Sequence, residues 1–210
     1  MKTTQAEIIR EYGPFPDVGQ IHGVSFDGSK VWFATGHNML ALDPDSGEIA
    51  RRLDFAGKAG TAFDGTHLFQ IKDNRIHKLD PETGEVKHSI PCPSDGDTSG
   101  MAWAEGSLWL GQYKARKILQ IDPDTGKVLR TIESNRFVTG VTWVAGELWH
   151  GTWEEDESCL RHIDAGSGEI LEQIDMPSDV KVSGLESDGG DRFFCGGGPS
   201  GKIRAVRRGQ

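Results

Sequence analysis

Five glycines, Gly23, Gly60, Gly100, Gly140 and Gly184, head five similar segments, and the residues just before them are His22, Ala59, Ser99, Thr139 and Ser183. Three hydroxyls and one imidazole around a shared axis would form a polar floor for a small ligand or a metal. The competing structural reading, and the more frequent one, is that the hydroxyls bond backbone and water. His22 is the most informative of the set, because no other copy has a titratable group there. An imidazole at that place serves as acid/base, metal ligand or solvated structural group. His37 and Asn38 follow in the same copy. His22 and His37 would start a divalent-metal site only with a third ligand from another copy.

A second group of candidates sits in loops. Trp153 and Glu154 begin the acidic run Trp153 to Glu157, whose later acids read as a solvated tip. Tyr113, Lys114 and Arg116 occupy the corresponding loop one copy earlier. Acid and base on neighbouring loops form either a surface ion pair or a clamp for a zwitterionic ligand. Cys195 and His150 hold the same place in adjacent copies and could pair as thiol and base. Their counterparts Phe33, Gln70 and Leu110 are mostly apolar, which favours packing.

The scaffold that must position these residues is repetitive. The aligned glycines are 37, 40, 40 and 44 residues apart, and each copy holds four strand-like segments. Turns at Asp27-Gly28, Asp64-Gly65, Glu105-Gly106 and Ala145-Gly146 join the first two strands. Asp43-Pro44, Asp80-Pro81 and Asp122-Pro123 open the turns between the last two, each closing on Gly four residues after the Asp. This spacing predicts an all-β, five-bladed β-propeller of four-stranded antiparallel blades, one domain over 1–210. The fifth copy lacks its last strand, and Ala6 to Tyr12 fits the missing pattern, so the N-terminal strand is expected to close the ring. The aromatics Trp32, Phe69, Trp109, Trp149 and Phe194 are expected between blades. The glycine column would let five backbones converge. Uniform turns mark one end as punctuation, and variable loops mark the other as the functional face.

The chain has a net charge of -9, which argues against nucleic acid as a partner. No apolar run suits a membrane span, and the first residues lack a signal-peptide core. Three cysteines without a CxxC spacing read as free thiols, and hence as a cytoplasmic protein.

The repeated turns, Val31 to Gly36 and Leu148 to Trp153 resemble the five-bladed glutaminyl cyclase (glutamine cyclotransferase) family of bacterial and plant type. That resemblance implies cyclisation of N-terminal glutamine in a small pocket lined by Trp and acids. Thr35, Gly36, Thr152 and Trp153 match the family pattern. His22 stands where the family has Glu, Phe33 replaces another acid, and Val138 to Val141 replaces an acidic segment. A weaker resemblance, to virginiamycin B lyase-like propellers, implies a metal-dependent lyase, although that family has seven blades. The expected function is a cyclotransferase-like or lyase-like enzyme acting on a small molecule or short peptide. Its catalytic residues would be His22 and Glu154. Its binding residues would be Trp153, Tyr113, Lys114, Arg116, Thr139, Ser99, Ser183 and Asn38, and a divalent metal is a candidate cofactor. The alternative is a non-catalytic ligand- or protein-binding propeller.

Overall fold

Aspartate side chains start the turns that fold each repeat into a blade. Asp27 Oδ1 accepts the N–H groups of Ser29 and Lys30 at 2.8 and 2.6 Å, and Gly28 takes the positive φ of 92° that the turn needs. In the outer turn Asp43 Oδ1 accepts the Asp45 and Ser46 N–H groups, and the Gly47 N–H returns to the Asp43 carbonyl at 2.8 Å. These backbone donors, with Lys30 beside them, hold the Asp43 carboxyl down at about 2.

The computed structural model describes residues 1–93 and 97–209, which form five sheets around one axis, each with four antiparallel strands and one of them extended by a fifth strand. The third and fourth blades are the longest. The third runs Thr98–Ala104, Ser107–Gln112, Lys117–Ile121 and Val128–Glu133, and the fourth Val138–Val144, Glu147–Glu154, Glu157–Ile163 and Ile170–Asp175. The innermost strands of the first two blades are only Val24–Phe26 and Thr61–Phe63. The fifth blade combines Gly184–Ser187, Arg192–Gly196 and Ile203–Arg207 with Ile8–Tyr12. Tyr12 pairs with Ile203 and Ile8 with Val206, so the N-terminal strand closes the ring as expected. Arg10 Nη1 and the Tyr12 hydroxyl both donate to the Pro44 carbonyl at 2.9 Å, tying this strand to the outer turn of the first blade.

One strand was not foreseen. Lys2–Gln5 adds to the outer edge of the fourth blade, parallel to Ile170–Asp175, with Lys2 opposite Glu172 and Gln5 opposite Asp175. The chain therefore spans two blades before its first turn. The extra strand covers an edge whose N–H and C=O groups would otherwise face water.

The predicted aromatic column is buried between blades: Trp32, Phe69, Trp109, Trp149 and Phe194 are all 3% exposed or less. Phe69 stacks on Trp103, Trp109 meets Trp143 at 4.9 Å, and Trp149 meets Phe193 at 5.0 Å, each contact reaching the following blade.

The glycine column lets neighbouring inner strands pack tightly around the axis. A Cβ on Gly100 would lie 2.4 Å from Gly140 Cα, one on Gly140 2.4 Å from the Leu185 nitrogen, and one on Gly184 2.8 Å from the His22 carbonyl oxygen. The remaining two, Gly23 and Gly60, are equally tight against Ala59 O and Gly100 C. Neighbouring inner strands thus meet backbone to backbone around the axis, and a cup opens above them.

Candidate functional site

The cup is a cavity of about 390 Å³ at the end with the variable loops. All five residues that precede the aligned glycines line it, joined by Tyr113, Lys114, Trp153, Gln20, Lys58, Asp97 and Thr98. Its walls are built by the inner strands, and its rim by connections between blades together with the second strands and the loops that follow them. The connection Pro91 to Thr98, expected on this face, includes Ser94, Asp95 and Gly96, which lie outside the described residues.

Strand geometry explains the hydroxyls. Gly111, Gly151 and Gly196 in the second strands leave room for them: a Cβ there would lie 2.7, 3.0 and 2.9 Å from the side-chain oxygens of Ser99, Thr139 and Ser183. Ser99 Oγ donates to the Val138 carbonyl at 2.6 Å and Ser183 Oγ to the Ile21 carbonyl at 2.7 Å, each in the next blade. Those two hydroxyls stitch blades together. Thr139 Oγ1 sits in the same register, buried, yet has no hydrogen-bond partner among the described residues.

His22 is half-buried, and its backbone N–H donates to the Ala34 carbonyl at 2.9 Å. Its Nε2 lies 3.4 Å from where a Cβ on Gly36 would be, so the Thr35-Gly36 turn flanks the ring. Burial lowers the imidazole below its ordinary value, and the neighbouring Lys58 ammonium adds to the effect. The ring is therefore neutral at physiological pH and able to accept a proton.

Trp153 and Tyr113 form one wall. The Tyr113 hydroxyl donates to the Trp153 carbonyl at 3.3 Å, and the Tyr113 ring packs on Phe137 at 4.6 Å. Lys181 lies 4.7 Å over the Trp153 ring. Asp97 is the cup's single described carboxylate, and its two oxygens accept the Lys114 and Ala115 N–H groups at 2.8 and 2.7 Å. Gln20, Lys58, Asp97 and Thr98 lie in or at the end of connections expected on this face, but no repeat pattern singled them out from their neighbours.

Four of the expected site residues do not line the cup. Glu154, read as an acid/base, pairs with Arg116 at 2.5 Å and faces Arg136 at 3.8 Å, so its charge is neutralised on the outer rim. Arg116 is correspondingly spent on Glu154 and on the Phe137 ring, 4.6 Å away. Asn38 closes its own turn, its Oδ1 accepting from Thr35 Oγ1 at 3.0 Å. His37 is exposed, and among the described residues no group of three or more His, Cys, Asp or Glu side chains gathers to hold a metal.

The thiol–imidazole pair is likewise separated. Cys195 packs with Leu160, Leu185 and Phe193, while His150 borders a different cavity with Ser134 and Ile163. Burial pushes the Cys195 thiol up to about 12 and His150 down to about 4. Neither is ionised near neutral pH, so the thiolate needed for attack is not formed.

The most perturbed carboxyl lies below the glycine ring. Glu186 occupies the register that Ser25, Ala62, Ala102 and Thr142 hold in the other blades, where small side chains dominate. Its carboxyl is pushed up to about 8 by burial, against hydrogen bonds from the Thr142 hydroxyl and the Ser187 N–H. The folded value is raised above the ordinary 4.5, so this contribution to stability is fully present below pH 4.5 and is lost as pH rises through about 8. His150 titrates with the opposite sign, but only below its ordinary 6.5. Between about pH 6.5 and 8.5 the unfolding free energy is therefore expected to fall by roughly 1–3 kcal/mol, after discounting the full shift for partial solvent access. Denaturant titrations of wild type and Glu186→Gln check this: the variant should be flat across that window, and an equal slope in both would remove Glu186 as the cause.

Residues 50–189 match a protein family described as a domain of unknown function, DUF5074. The chain belongs to that family. The matched residues are two thirds of the chain and include Lys58, Ser99, Thr139 and Ser183, but not His22. No curated protein matches the chain in sequence. Among solved structures, a glutaminyl cyclase from Myxococcus xanthus is similar at a TM-score of 0.79 with 18% identity, covering 98% of this chain and 97% of that one. A virginiamycin B lyase from Staphylococcus aureus aligns at 0.53 with 18% identity, over 94% of this chain and 69% of the other. The Cps50 (Swd1) β-propeller domain of Myceliophteria thermophila aligns at 0.60 with 10% identity, over 96% and 99%. At these identities the likeness is one of fold. As a separate fact, no helix among the described residues is long and apolar enough to cross a membrane.

Proposed function

We propose that the cup is a small-molecule reaction site in which His22 moves a proton, in chemistry of the cyclotransferase-like or lyase-like type. The observation that carries this reading is the state of His22. It is a neutral imidazole in the wall of the cavity, with no hydrogen bond to its ring among the described residues. A base that is unprotonated at neutral pH, lines the cavity and is unspent on the protein is suited to general acid–base catalysis. Nucleophilic routes fit less well. Ser99 and Ser183 give their protons to carbonyls rather than to a base, and Cys195 is in the core. The fold shared with a glutaminyl cyclase and a virginiamycin B lyase makes intramolecular amide displacement and elimination the reactions to try first. Both need a proton removed from one atom and returned to another.

A non-catalytic binding role is favoured by one observation. Glu154, the carboxylate nearest in sequence to Trp153, is held by two arginines and does not line the cup with His22.

The pH profile separates the two. A general base works deprotonated, so kcat/KM should rise with pH and level off at or below His22's ordinary 6.5, because its value is lowered. The His22→Gln variant should lack that limb. An identical limb in the variant would assign the titration elsewhere.

A further inference from the structure

We infer that the cup takes a small organic anion, its carboxylate or phosphate group held between Lys58 and Lys114. This rests on reading the cup as a small-molecule site, but not on turnover. Charge distribution is the first argument. The chain as a whole carries -9, yet Lys58 and Lys114 line the cavity and Lys181 covers the Trp153 ring beside it. Neither Lys58 nor Lys114 forms an ion pair with a described residue. A cluster of unpaired cations in a concave site on an acidic protein focuses a positive potential there.

The second argument is the fate of the nearby acids. Both Asp97 oxygens accept backbone N–H groups, and Glu154 is neutralised by Arg116 and Arg136. The cup's described lining thus sets one carboxylate, already bonded to two backbone N–H groups, against two lysines, a balance that favours an anionic over a cationic ligand.

The third argument is an unspent hydrogen bond. Ser99 and Ser183 bond the next blade, whereas Thr139, 4% exposed in the same wall, leaves its hydroxyl without a partner. A buried hydroxyl without a bond is unfavourable, and a ligand oxygen would relieve it. A volume of about 390 Å³ suits a metabolite-sized anion. An adjoining cavity of about 300 Å³ shares Lys58, Ala59 and Thr98, so the cation-bearing surface extends toward the second blade.

Binding should also be coupled to His22. An anion near Lys58 offsets the repulsion that helps keep the imidazole neutral, so it favours proton uptake there.

The experiment is calorimetric titration of the full chain with inorganic phosphate and, separately, with citrate, at fixed ionic strength. Binding of either supports the inference, and which one binds tells a phosphate-type from a carboxylate-type ligand. The Lys58→Ala/Lys114→Ala variant should lose affinity by about tenfold or more, the scale of two charge-assisted contacts. The Arg52→Ala/Lys127→Ala variant, with the same change in net charge away from the cup, should stay within about twofold. His22→Ala should still bind, even though it slows turnover by about 10²–10⁴ if His22 is the base, so failure of the catalytic reading is seen separately. No heat from either probe at millimolar concentration, or an equal loss in both double variants, would overturn it. The substituted lysines are exposed, so the fold is expected to survive, and circular dichroism checks that it does.

Discussion

Gly140→Ala is expected to destabilise the protein by about 3 kcal/mol or more, a fall of roughly 6–12 °C in unfolding midpoint for a chain of this size. The added methyl would sit 2.4 Å from the Leu185 nitrogen and 2.8 Å from Gly184 C, both backbone atoms of the neighbouring blade. A side chain can turn away from such a clash, but a strand held in a four-stranded sheet cannot move without shifting its blade. The strain therefore spreads to the ring, and with it to the floor of the cup. Gly19→Ala is the matched control, because a Cβ there meets nothing within 4 Å. Thermal unfolding of both variants checks the claim, and a Gly140→Ala midpoint within about 2 °C of wild type would show that the axis is looser than described.

Removing residues 1–12 is expected to abolish cooperative unfolding, whereas removing residues 1–5 should cost little. The longer deletion takes away the outer strand of the fifth blade, and with it the buried Tyr12 and the bonds of Arg10 and Tyr12 to Pro44. Glu11, the partner of Arg204 at 2.6 Å and Lys202 at 2.9 Å, goes too, leaving a largely buried guanidinium unpaired. The exposed edge of Ile203–Arg207 would then be open to pairing with another chain. The shorter deletion removes only Lys2–Gln5, a mostly exposed parallel strand. Denaturant unfolding with light scattering distinguishes the two, and a monomeric, cooperative 13–210 fragment would mean that the ring does not depend on its closing strand.

The repeat made most of this architecture readable. Glycines at a near-constant spacing, Asp-Pro turns and a truncated fifth copy were enough to give blade number, strand order and closure. Lys2–Gln5 was not readable, because it imitates no repeat and pairs by position alone. The cup divided along the same line. His22, Ser99, Thr139 and Ser183 stand in an aligned column, so their convergence followed from the repeat. Lys58, Asp97 and the arginines around Glu154 sit in or beside irregular connections, where no register says which way a side chain turns. Glu186 did leave a signal: it is an acid in a column otherwise made of Ser, Ala, Ala and Thr. Reading that column residue by residue would have found it.

The most direct test of the cup as a reaction site is turnover itself. Wild type and His22→Ala would be incubated with peptides bearing N-terminal glutamine and with esters prone to elimination, and the products followed by mass spectrometry. The proton-transfer reading predicts a product from at least one class, formed about 10²–10⁴ times more slowly by the variant. A product formed equally fast by both proteins would contradict it.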